Sequence, residues 1–241
     1  GDKTILKLRK ENLKMEPKVL FPCIALGIAP FVMQSTESLL VLCFNGSLLK
    51  YGGDMAVGAM TILSSVMQFA MLPLQGLTQG GQPIISYNYG AGNADRVKKG
   101  FSLMMVCSLI YAAVLWLVAV ITPQTLVGIF TNDPALKELA VWAMRIYLAA
   151  LVLMGAQIAC QQTFIAFGNA KVSVFLAVFR KIILLIPLIY ILPKFFGAGD
   201  KLFAVFLAEP IADIIAVATT CIMFAVSFRK LLKSMNNKST I

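Results

Sequence analysis

Six residues with formal charge lie inside long apolar stretches of this chain: Glu37, Arg145, Arg180, Lys181, Glu209 and Asp213. At the centre of a membrane helix each would cost on the order of 2.5–3.5 kcal/mol, so each needs a partner or a watery cavity. Arg180 falls roughly 14 Å into a helix starting at 171, and Asp213 roughly 18 Å into one starting at 201 and running the other way. In a hydrocarbon core about 30 Å thick the two meet near the middle. The spacing therefore predicts an intramembrane network of Arg180 and Lys181 with Glu209 and Asp213. It could serve as a clamp between two helices or as part of a working site.

Polar residues also recur at helical spacing. Pro30, Gln34, Glu37 and Asn45 share one face of a first segment. Thr61, Ser65, Gln68, Gln75 and Gln79 share one of a second, and Gln157 and Gln161 one of a later segment. Lipid-facing amides are disfavoured, so these faces are expected to point inward. Single amides would fit interhelical hydrogen bonds. Several converging stripes, one with a carboxylate, fit a hydrated cavity better. The candidates for substrate or ion binding are Glu37, Gln34, Asn45, Gln68, Gln75, Gln157 and Gln161.

Other chemistries are poorly served. The chain has no histidine, which removes the commonest general base and metal ligand. Its five cysteines, Cys23, Cys43, Cys107, Cys160 and Cys221, sit in apolar segments without a CxxC pair. No zinc site, disulfide framework, cofactor or enzyme activity is expected from them. The net charge of +10 carries no basic cluster interleaved with aromatics, so nucleic acid is not an expected partner.

The elements that must hold these residues are membrane helices. Apolar residues make up 59% of the chain and charged residues 13%, with a mean hydropathy of +0.83. Soluble domains run about 45–50% apolar and about 25% charged. Six apolar segments, 19–45, 55–79, 98–121, 135–167, 171–193 and 201–227, imply an all-α transmembrane six-helix bundle. Connectors are expected at 50–54, 87–99, 122–134, 168–170 and 196–200. Asn93 or Asp95 is placed to cap the third helix, and Asp133 with Pro134 to open the fourth. The 126–130 stretch is too short to span and is expected at the interface. Pro22, Pro30, Pro73, Pro187 and Pro210 fall within spans and are expected to kink them. Gly76 and Gly80 form a small-xxx-small pair suited to helix packing.

Positive charge fixes the expected orientation. The basic residues at 3–18, 96–99, 171 and 229–238 outnumber Lys50, Lys137, Lys194 and Lys201 on the opposite side. The richer side is cytoplasmic, which puts both ends inside, in contact with anionic membrane lipid. The domain organisation expected is a basic cytoplasmic segment at 1–18, the bundle at 19–228 and a basic tail at 229–241. The opening residues read as a loop cut from a longer chain.

The run from Pro73 to Asn93, PLQGLTQGGQPIISYNYGAGN, resembles the signature of multidrug and toxic compound extrusion (MATE) transporters, with Gln82, Pro83, Tyr87, Asn88 and Gly90 carrying the motif. Arg145-Ile-Tyr147, the Phe164–Lys171 turn, Pro210-Ile-Ala-Asp213 and, nearer the start, Gly27-Ile-Ala-Pro-Phe31 resemble other parts of the same family in order, the last two in its MepA-like branch. The resemblance covers about 17–232. It implies the C-terminal lobe of a two-lobe (6+6) transporter, with 1–18 as the inter-lobe linker and an N-terminal six-helix lobe as missing partner. It further implies a plasma-membrane antiporter that expels drugs or other cationic, amphipathic molecules in exchange for Na⁺ or H⁺, the coupling ion being its only cofactor. Some members hold an acidic residue in the first helix of this lobe; Glu37 is the match here, with Met33 one turn earlier as the other register. Such a carboxylate can exchange protons, or bind Na⁺ with amide oxygens such as Gln34 or Asn45. A lipid-linked saccharide flippase of the wider superfamily and a non-transporting membrane scaffold are the alternatives.

Overall fold

The computed structural model describes residues 17–197 and 199–238. The segment 1–16 and the last three residues of the expected tail lie outside them, as do the side chains of Pro22, Pro30 and Met33. Every regular element among the described residues is helical: α1 (Pro17–Gly90), α2 (Ala94–Ile121), α3 (Pro123–Gly128), α4 (Pro134–Tyr147), α5 (Leu151–Ala166), α6 (Ala170–Val178), a π-helical stretch (Phe179–Leu185), α7 (Ile186–Phe195) and α8 (Lys201–Lys238).

As one straight rod, α1 would be roughly 110 Å long, over three bilayer cores. It is not straight. Gly53 breaks it, at φ 64° and ψ −163°, a conformation open essentially to glycine alone. Residues 37–45 and 60–68 line one cleft, so the limbs 17–52 and 54–90 run antiparallel as a hairpin. The connector expected at 50–54 contracts to this one residue. Six legs result: the two limbs, α2, α4 with α5, the α6–π–α7 leg, and α8.

Three further expectations are corrected. The fourth leg, expected unbroken over 135–167, bends by 53° between α4 and α5. No Pro or Gly causes it; Ala149 N–H donates to the Ile146 carbonyl and Leu151 N–H to that of Leu148, so the chain tightens through i→i+3 bonds. Proline explains less than expected as well: α1 leaves helical geometry at Gly53 rather than at Pro73, and α8 runs through Pro210. Pro187 does act. It has no N–H for the Ile183 carbonyl, and the preceding turns widen, Ile186 N–H reaching back to the Lys181 carbonyl. Lastly, α8 continues to Lys238, so most of the expected tail is helix.

The caps divide. Asp133 accepts from Ala135 N–H at 2.9 Å with Pro134 opening α4. Asn93 precedes α2 but makes no side-chain capping bond, and Asp95 sits in the first turn, where its charge suits the helix dipole.

The core joins Phe44, Leu48, Leu63, Met144, Leu185 and Phe206 from different legs. α2 and α5 touch backbone to backbone: a Cβ added at Gly155 would lie 2.7 Å from the Ser108 carbonyl oxygen. Gly76 and Gly80 behave otherwise. A Cβ at either meets nothing within 4 Å, so the expected packing pair faces out of the lobe. Exposed apolar residues such as Phe69, Ile110, Ile121 and Ile222 cover the outside. Such a surface suits lipid, because soluble monomers rarely expose large contiguous apolar patches.

Candidate functional site

Five of the six charged residues, all but Arg145, pair in two adjacent groups. Glu209 and Asp213, four apart on α8, project from the same face. Arg180 in the π-helical stretch donates from Nε to Asp213 Oδ1 at 2.5 Å and from Nη2 to Glu209 Oε1 at 2.7 Å. The side chains of Arg180, Glu209 and Asp213 are 11%, 5% and 2% exposed, so the clamp is desolvated. Charge-assisted bonds of this kind are about twice as strong as neutral ones, which is what a buried carboxylate requires.

Lys181 does not join that clamp, contrary to the spacing argument. Its ammonium pairs with Glu37 on the first limb of α1. Neighbouring residues on a helix point about 100° apart, so two adjacent cations cannot both address α8. Arg180 faces α8, and Lys181 faces α1. The Lys181–Glu37 pair is also wetter, Glu37 being 47% exposed.

A cleft of about 260 Å³ opens beside this network, lined by Glu37, Asn45, Thr61, Ser65, Gln68, Tyr147, Arg180 and Glu209 among others. The Thr61 and Ser65 hydroxyls donate to the carbonyls four residues back, which leaves their lone pairs toward the cleft. Tyr147, which spacing does not assign to the cleft, arrives from the end of α4. Gln34 and Gln75 lie on the same legs but are exposed outside the cleft, and Arg145 is exposed on α4. Gln157 and Gln161 are not brought there. The bend after α4 carries α5 toward α2 and takes both with it; Gln157 is buried, its Oε1 without a hydrogen-bond partner. Among the described residues no three or more His, Cys, Asp or Glu side chains are grouped to hold a metal ion.

A second cleft, of about 370 Å³, lies between α1, α2 and α3 and carries no charged lining residue; Val66, Phe69, Leu115 and Phe130 form it. Tyr111 closes one side, its hydroxyl donating to the Ala70 carbonyl at 3.0 Å.

The motif at 82–93 builds a turn. Asn93 N–H donates to the Asn88 carbonyl and Gly92 N–H to that of Tyr89, with Gly92 at φ 74°. The Phe164–Lys171 turn repeats this: Asn169 to Phe164, Gly168 to Ile165, and Gly168 at φ 75°. Both are Schellman closures, and each ends in Gly-Asn-Ala before the next helix. They lie side by side, the Tyr89 and Phe167 rings 5.1 Å apart. Asn88 is buried and donates to the Ile84 carbonyl at 2.8 Å; Gln82 is half-buried, while Pro83, Tyr87 and Gly90 are exposed. None of these five lines the charged cleft.

A sequence model of the MatE family matches residues 29–191. The multidrug export protein MepA of Staphylococcus aureus (strain N315) is 28% identical over 214 residues, 88% of this chain and 46% of that protein. A solved structure of the MATE multidrug transporter DinF-BH is 32% identical, covering 96% of this chain and 51% of that one with a TM-score of 0.78. An inward-facing multidrug resistance MATE family transporter shares the fold at a TM-score of 0.85 and 16% identity, over 93% of this chain and 51% of its own. The chain spans about half the length of these relatives.

Proposed function

The chain belongs to the MatE family, and from that premise we propose that it forms one lobe of an antiporter that expels cationic or amphipathic small molecules in exchange for Na⁺ or H⁺. A second six-helix lobe completes the pump, which sits in the plasma membrane with both ends of this lobe on the cytoplasmic side. The observation that carries the reading is the charged cleft. It is lined by polar residues that lipid would not solvate, Asn45 and Gln68 among them. A partner lobe facing this side would enclose a hydrated cavity at the interface, where alternating-access transporters bind their cargo.

Glu37 stands at the mouth of the cleft, half exposed, and the Lys181 ammonium already occupies it. A cationic substrate would compete with that ammonium for the same carboxylate. The half-exposed charge at the mouth of the cleft is the Glu37 carboxylate, which favours cationic cargo over the phosphate headgroup of a lipid-linked saccharide. The test is Glu37→Gln in the full-length protein, assayed by export of a lipophilic cationic dye from inverted vesicles. Export should fall several-fold at equal expression. Export equal to wild type would remove Glu37 from the proposal.

A further inference from the structure

The network around Arg180 is unbalanced. Arg180 and Lys181 face three carboxylates, Glu37, Glu209 and Asp213. The missing positive charge has a definite place. Glu37 is half exposed and paired, and water screens it. Asp213 Oδ1 accepts from Arg180. Glu209 is buried to 4% exposure, and its Oε1 accepts from Arg180 at 2.7 Å, while its Oε2 is buried with no hydrogen-bond partner.

We infer that Glu209 is a proton-binding site of this lobe, holding a proton on Oε2 in the resting state and releasing it when the Arg180 clamp rearranges. A buried, unpaired carboxylate oxygen forfeits hydration worth several kcal/mol. A hydroxyl at that position removes the surplus charge and leaves Oε1 to accept from Arg180. Metal cations fit less well. Na⁺ needs several oxygens converging on one point, and among the described residues no three His, Cys, Asp or Glu side chains are grouped there to supply them.

The surroundings let the proton respond to the cleft. Glu209 is faced by Arg180 from the π-helical stretch, Asp213 from its own helix, Tyr147 from α4 and Glu37 from the first limb of α1, while Lys181, next to Arg180, turns to Glu37. Of the other helices packed on α8, α5 carries no charged residue, α7 only Lys194, near its far end, and α2 only Asp95, Arg96, Lys98 and Lys99, in its first turns. Arg180 and Lys181 are adjacent, so a ligand that displaces Lys181 from Glu37 moves the stretch that also carries the Glu209 partner. π-Helical turns inside α-helices are frequent at functional sites. The step balances: the O–H bond at Oε2 breaks, the proton leaves through the cleft to water, and the Lys181 ammonium freed from Glu37 supplies the positive charge that the ionised carboxylate then needs.

This inference rests on the exporter reading for its purpose but is tested without transport. In the full-length protein in lipid, the infrared spectrum at neutral pH should show the carbonyl band of a protonated carboxylic acid. That band should shift on carboxyl-¹³C glutamate labelling, persist in Glu37→Gln and vanish in Glu209→Gln. The isotope arm needs only wild-type protein and assigns the proton to a glutamate; should Glu209→Gln not fold, Glu209→Asp keeps a carboxyl at the site but must lose the labelled band. Raising Na⁺ at fixed pH should leave the band unchanged; its loss would assign the site to Na⁺ and overturn the proton. A band that is absent, or that ignores the glutamate label, overturns the site. Adding tetraphenylphosphonium in weak buffer should release about one proton per protein from wild type and none from Glu209→Gln. Equal release from both would overturn the coupling. A protein that shows the glutamate band yet exports nothing would fail the exporter reading alone.

Discussion

Among single residues, Arg180 bears more weight than its neighbour. It holds two carboxylates that are almost wholly withdrawn from solvent, whereas Lys181 holds one that is half exposed. Removing one partner of a buried ion pair costs about 3–5 kcal/mol, because the remaining charge stays buried. Exposed pairs are worth about 1 kcal/mol or less. Arg180→Met should therefore lower the yield and the melting temperature of the lobe sharply, and Lys181→Met only slightly, when both are measured by thermal unfolding in detergent. Exchanging the partners, Arg180→Asp with Asp213→Arg, should recover part of the loss. A double variant no better than either single one would show that the attraction between the two does not hold α8 in place. The depth of each residue along its helix was readable, and it sets Arg180 level with Asp213. What spacing could not supply was the third direction. The pairing of Lys181 with Glu37 depends on where the first limb of α1 lies around the bundle, and no period along the chain encodes that.

At the level of elements, the sequence is most legible where local chemistry decides the outcome. Asp133 and Pro134 open α4 as their types require, and the Gly-Asn-Ala endings of two turns follow from the left-handed residue that a Schellman closure needs. The bend between α4 and α5 has no such signature, since Leu148, Ala149 and Ala150 are ordinary helix formers; tertiary packing imposes it. Gly53 is the intermediate case. The pair Gly52-Gly53 announces a connector, but its contraction to a single residue follows from the fit of the two limbs. A Cβ at Gly52 would lie 2.6 Å from that of Ala56, so the close approach here needs a glycine at 52. At Gly53 the obstacle is the backbone itself, since nothing lies within 4 Å of an added Cβ. Conformations of this kind cost other residues about 1–3 kcal/mol. Gly53→Ala should destabilise the lobe by that amount in denaturant unfolding without adding a steric clash. A change below about 0.5 kcal/mol would mean that the hairpin reaches its turn through another backbone geometry.

For the whole molecule, the hairpin and the remaining legs fix which loops share a side. Six antiparallel legs place 53, 129–133 and 199–200 at one end of the bundle, and 91–93 and 168–169 at the other. The second end is the one with Arg96, Lys98, Lys99 and Lys171 beside it. Positive charge near helix ends is retained on the cytoplasmic side, so the two Schellman turns should face the cytoplasm and Gly53 the exterior. All four probe positions are exposed in the lobe: Asp54 and Asn132 at the first end, Ala91 and Asn169 at the second. Single cysteines at these positions, in a full-length protein whose native cysteines are replaced, can be labelled with a membrane-impermeant maleimide. Intact cells should label Asp54→Cys and Asn132→Cys but not Ala91→Cys or Asn169→Cys, and inverted vesicles should give the opposite pattern. The reversed result would turn the lobe over, and it would bear directly on the cleft. With the proposed orientation, Glu37 is carried on a limb that descends from the exterior turn at Gly53, and Arg180 on a leg that starts from the cytoplasmic turn at 168–169. Their shared cleft then lies between the two faces, where one rocking motion against a second lobe could present it first to one side and then to the other.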